Sequence, residues 1–164
     1  MKLFVKEKLL SMHNRYYIYN ENEELTYEIE SKVISIGDKT TIYDKEHNVI
    51  AYIEQEIFHF TPHYKVYIEG KYKYQIKKKF HFFKNDYELS NMYKVEGSIF
   101  SLNFTITNNY GKTIALVNRK FLSIGDKYQI EIIDENDIYT ILTIIVAITN
   151  DVDRSQSNSA NSSN

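Results

Sequence analysis

Apolar and polar residues alternate along much of this chain. Clear examples are Thr41-Ile42-Tyr43, Tyr64-Lys65-Val66-Tyr67-Ile68 and Tyr128-Gln129-Ile130-Glu131-Ile132. A period of two predicts strands with one face buried and the other in water. Polar turn signals separate the runs. Gly37-Asp38, Thr61-Pro62-His63, Asn85-Asp86 and Gly125-Asp126 form one set; Glu46-His47-Asn48, Glu69-Gly70 and Asn108-Asn109-Tyr110-Gly111 form the other. Connections this short predict antiparallel neighbours.

A longer pattern organises these strands. Ser35-Ile36-Gly37-Asp38-Lys39 returns as Ser123-Ile124-Gly125-Asp126-Lys127. Around it an aliphatic residue is followed by two apolar residues, often Ser, then an aromatic or β-branched residue and an aliphatic one. The six units begin at Val5, Ile29, Ile53, Ile76, Val95 and Val117, spaced by 24, 24, 23, 19 and 22 residues. The fifth is the weakest. Six two-stranded units predict about twelve strands, and a twisted sheet of that size tends to curl, split or close. Closure would remove its exposed edges.

One segment has no alternation. Ile138 to Ile148 is almost continuously apolar and rich in β-branched residues, which favours a buried strand. It follows Asp134-Glu135-Asn136-Asp137, whose side chains suit a helix N-terminus. A helix apolar on every side must be surrounded by protein, and a twelve-stranded barrel has an interior to fill. Local pattern leaves both readings open. The run is shorter than the roughly 20 residues of a membrane-spanning helix. Arg154 to Asn164 is nearly all Ser and Asn, so a single domain over 1–150 and a disordered tail over 151–164 are expected.

Composition narrows the chemistry. The chain has 164 residues, no Cys, five Gly, one Pro and a formal charge of −2. Disulfides, zinc ribbons and thiol catalysis are excluded, and nucleic acid is not an expected partner. The N-terminus lacks the apolar stretch of a signal peptide, which favours a cytoplasmic location. Ser11, Ser35, Ser101 and Ser123 recur at one repeat position, as turn elements do and a nucleophile does not. His59 and His63 straddle a turn, with His81 in the next unit, and read as turn and rim residues; no metal or other cofactor is expected. Asp134, Glu135 and Asp137 read as helix capping. No catalytic motif is present, so the expectation is a protein that is not an enzyme.

The clearest charge asymmetry spans residues 65–84, where Lys65, Lys71, Lys73, Lys77, Lys78, Lys79 and Lys84 face Glu69 alone. On one wall these lysines would attract anionic lipid or another acidic partner, with Tyr72, Tyr74 and Phe83 as amphipathic contacts. The bland alternative is a solvated lysine face. Gln55, Lys78 and Arg119 share the parity of inward residues, each lying between two apolar positions. Either they line a polar pocket or bulges turn them outward.

The repeated Ser-Ile-Gly-Asp-Lys turns, the Ile42-Tyr43-Asp44…Asn48-Val49-Ile50-Ala51-Tyr52-Ile53 hairpin and Lys77-Lys78-Lys79-Phe80 resemble the LURP-one-related family. So does Ile130-Glu131-Ile132 followed by an acidic link and an apolar terminal segment. That family belongs to the tubby C-terminal-like superfamily, which includes phospholipid scramblases. The resemblance, over roughly residues 1–150, implies a closed twelve-stranded antiparallel β-barrel enclosing a hydrophobic C-terminal helix. Ile138, Ile141, Leu142, Ile145 and Ile148 would then be its core. For function the expectation is a non-enzymatic binding or scaffold domain, cytoplasmic or peripheral at a membrane, meeting anionic phospholipid or an acidic partner. The alternatives are a small-molecule carrier or enzyme with a pocket at the barrel mouth, and a protein–protein interaction module.

Overall fold

The computed structural model describes residues 1–7, 14–33, 37–81, 84–90, 92–119 and 126–161. Twelve antiparallel strands form one sheet. They are β1 (Lys2–Glu7), β2 (Asn14–Asn20), β3 (Leu25–Val33), β4 (Asp38–Asp44), β5 (Val49–Glu56), β6 (His63–Ile68), β7 (Lys71–His81), β8 (Lys84–Glu88), β9 (Tyr93–Ser98), β10 (Asn103–Asn108), β11 (Thr113–Asn118) and β12 (Asp126–Ile132). Their order is β8-β7-β6-β5-β4-β3-β2-β1-β12-β11-β10-β9, so the first and last strands pair within the sheet rather than at its edges. A 3-10 turn (Glu135–Asp137) leads into α1 (Ile138–Asn161).

The repeat becomes a rung of the wall. Its leading aliphatic residue pairs directly with its last one: Val5 with Ile18, Ile29 with Ile42, Ile53 with Val66, Val95 with Ile106 and Val117 with Ile130. Nine of these ten side chains are buried, Val95 being partly so. The opposite rim is also built repetitively. In Asn20–Glu24, Asp44–Asn48 and Asn108–Lys112 the first side chain accepts the backbone N–H of the fifth residue at 2.8–3.0 Å. The fourth residue, Glu23, His47 or Gly111, takes a positive φ of 61–77°. An Asx side chain that satisfies its own turn is why these positions reverse the chain.

The wall wraps α1. All nine positions from Ile141 to Thr149 are buried, so no face of that stretch meets water. Ile141, Leu142, Ile145 and Ile148 are fully enclosed and Ile138 packs at the entrance. Asp134 caps the preceding turn by accepting the Asn136 N–H at 3.3 Å.

Two expectations are corrected. The sheet is not a closed barrel: β8 and β9 are its edges, joined among the described residues by the isolated bridge Leu89–Tyr93. The seam falls at the weak fifth unit. There β8 has five residues and β9 six, β9 buries no side chain fully, and Ser90 reverses the chain at φ 44°. The expected disordered tail over 151–164 does not begin at 151 either, because α1 continues to Asn161. Asp151 and Val152 are buried, and Asp153 and Arg154 reach partners on the wall. Those contacts offset the ordering cost that composition alone leaves unmet.

Candidate functional site

Odd-numbered strands all run the same way, so their C-terminal ends lie at one rim. The connection from β5 to β6 is the best-defined part of it. Ile57 is 42% exposed, Phe58 96% and Phe60 fully exposed. Phe58 also holds φ at 71°. A bulky side chain in the left-handed region costs about 1–3 kcal/mol. Phe58 therefore combines backbone strain with an apolar ring in water, and neither contributes to the stability of the wall. Phe100, 48% exposed between β9 and β10, projects at the same rim.

Around this tip lies a polar cluster. Glu56 ends β5, His59 sits in the connection and His63 starts β6, paired with Glu56 in register. Their ligand atoms lie within 4.8 Å of one another. The two imidazoles stack at 4.0 Å between centroids, and His59 Nε2 is 4.0 Å from Glu56 Oε2. Lys65 Nζ binds Glu56 Oε1 at 2.9 Å and Gln75 Nε2 donates to Oε2. Lys65 and Gln75 thereby hold the Glu56 carboxyl below its usual range. Burial, then His59 and Lys77, lower the pKa of His63, which keeps that imidazole neutral at neutral pH. Glu56 stands three residues before His59 in sequence, a spacing the sequence reading passed over, and the β5–β6 register sets it opposite His63.

The seven lysines do not converge. Lys71 and Lys73 lie at the β6–β7 turn and are exposed. Lys65 is engaged by Glu56. Lys77 pairs with His63 in register, and on the other side the backbone register sets Glu88 opposite Lys77 and Asp86 opposite Lys79. Lys84 pairs with His81 in the same register, and its side chain lies outside the described residues, as does Phe83. Of the companion aromatics, Tyr72 is 56% exposed, whereas Tyr74 is buried with its hydroxyl 2.7 Å from Thr143 Oγ1. Ser101 donates to the Ser98 carbonyl at 3.2 Å, as a turn residue does. Ser11, Ser35 and Ser123 lie outside the described residues.

Lys78 points inward, 2.7 Å from the α1 residue Asp151. It belongs to a second, polar rung in which Ser31 pairs with Thr40, Gln55 with Tyr64 and Lys78 with Tyr87. Most of these partners meet the end of α1. Asn150 Nδ2 donates to Ser31 Oγ at 3.1 Å and to Thr40 Oγ1 at 3.0 Å. Tyr87 donates to Asp151 at 2.6 Å, Tyr16 donates to Asp153 at 3.0 Å, and Arg154 binds both Gln55 and Asp38. Tyr64 ends buried near Asp151. Burial and the Asp151 charge push the Tyr64 and Tyr87 hydroxyls well above their ordinary range. Gln55 and Lys78 thus face the helix; Arg119, just past β11, is exposed.

With this architecture in view, the family comparison is decisive. The model of the LURP-one-related family matches residues 1–149. The chain belongs to the LURP-one-related family. Among LURP-one-related relatives, the uncharacterised protein YxjI of Bacillus subtilis (strain 168) is 29% identical over 150 residues, covering 90% of this chain and 91% of YxjI. A solved structure of an Arabidopsis thaliana protein superposes with a TM-score of 0.65 at 16% identity, covering 93% of this chain and 91% of that one. That likeness concerns the fold alone. Among the described residues of this LURP-one-related chain, no helix is long and apolar enough to cross a membrane.

Proposed function

We propose that this LURP-one-related protein is a non-enzymatic binding module that docks peripherally on an anionic membrane surface through the β5–β6 tip. The observation carrying this reading is the near-complete exposure of Phe58 and Phe60 on a connection whose next strand, from His63, pairs with Lys77 of β7. Burying a Phe side chain contributes about 1.5–3 kcal/mol, whereas a lysine near an anionic surface contributes about 1 kcal/mol. Insertion of the two rings therefore supplies most of the binding energy, and the lysines orient the docked protein. A carrier role is disfavoured, because α1 fills the interior a cargo would need.

Flotation with neutral vesicles and with vesicles containing an anionic phospholipid tests the reading. The protein is expected to float with the anionic vesicles, and Phe58→Ser with Phe60→Ser to lose most of the bound fraction. Lys77→Glu with Lys79→Glu should weaken binding less. Lys78 is left intact because its substitution would break the pair with Asp151. Absence of flotation, or flotation indifferent to both rings, would overturn the proposal.

A further inference from the structure

We propose that Glu56, His59 and His63 form a binding site for a divalent transition-metal ion such as Zn2+. Two imidazoles and one carboxylate are a ligand set that favours Zn2+, Ni2+, Co2+ or Cu2+ over Mg2+ and Ca2+. Their ligand atoms lie within 4.8 Å. Ligands on tetrahedral zinc, at about 2.0–2.1 Å from the metal, stand roughly 3.3–3.5 Å apart. Closure therefore needs about 1.5 Å of movement, within reach of side-chain rotation at the half-exposed His59.

The surroundings suit the role. Lys65 anchors Glu56 through Oε1; Oε2 faces His59 and accepts from Gln75 Nε2, which leaves it a second lone pair for a metal ion. Thr61 Oγ1, 3.4 Å from His63 Nε2, supplies a hydroxyl partner that can orient a ligating imidazole. The Lys65 and Lys77 charges oppose a cation and moderate the affinity. Three protein ligands leave a coordination position for water. None of the three ligands is Phe58 or Phe60, and metal binding in solution needs no membrane, so this inference stands apart from membrane docking.

Calorimetric titration of the full chain with Zn2+, in buffer without vesicles, tests it. One ion per chain is expected, with His59→Ala and His63→Ala each weakening binding more than about tenfold, a loss seen even for outer-shell partners. Glu56→Gln should weaken it in the same direction. His47→Ala is the control, because His47 stacks on Tyr43 at the other rim. Co2+ added to the unaltered protein gives an independent readout: the His59 and His63 ring proton signals should broaden selectively in NMR spectra. Absence of one-to-one binding, affinity unchanged in His63→Ala, or broadening centred on other histidines would overturn the assignment.

Discussion

Lys78 Nζ lies 2.7 Å from a carboxylate oxygen of Asp151, joining β7 to α1 across 73 residues of sequence. The lysine is 17% exposed at its side chain and the aspartate 3%. Removing one member of a buried pair strands the other charge, at about 3–5 kcal/mol. Asp151→Ala should lower unfolding stability by that amount in urea titrations. Lys78→Met combined with Asp151→Leu should cost much less than the sum of the single changes. Additive losses would refute the coupling.

The apolar stretch of α1 sets the stability of the wall. Ile144 and Ile145 are fully buried, so each change to Ala should cost about 2–5 kcal/mol through the cavity left behind. Ile133→Ala, at a side chain 48% exposed, should stay within about 0.5 kcal/mol. Denaturant midpoints at constant slope give the comparison.

Gly97 holds φ at 127° beside β10. A Cβ there would stand 2.6 Å from the Asn103 carbonyl oxygen and 2.9 Å from Phe104 Cα. Gly97→Ala should force β9 away from β10 and lower the melting temperature. Gly111→Ala meets open space and only the left-handed penalty, about 1–2 kcal/mol. Its loss should be the smaller of the two.

Alkaline pH should loosen the core. Burial raises the Tyr27 pKa to about 12 from 10.0, so the fold favours its neutral form. That contribution is complete below the unfolded value near 10 and disappears as pH climbs to about 12. Unfolding free energy should fall across this window. Ultraviolet absorbance should show a late tyrosinate phase coinciding with loss of structure; full ionisation before unfolding would contradict this.

Much of the architecture was legible because one physical constraint repeats. The apolar rung needs Val5 opposite Ile18 and Ile29 opposite Ile42, and alternation writes that need into sequence. The seam was not legible, because it depends on strand lengths around Ser90 rather than on hydrophobicity. The parity of Lys78 was visible, but its direction was decided by Asp151 on a distant element. Composition likewise made the chain from residue 151 onward look too polar to order; Asp151, Asp153 and Arg154 match the polar rung instead. Glu56 joined His59 and His63 only through the turn that folds β6 back on β5.

The rod that fills the sheet follows every strand in the chain, and β12, the strand that pairs with β1, directly precedes it. During synthesis, all twelve strands leave the ribosome before the helix that fills their centre. The nascent chain must keep those apolar faces from foreign contacts until α1 has emerged. Assembly then becomes a late, concerted event rather than a stepwise accretion, and a truncated product lacking α1 is a natural client for chaperones and proteases.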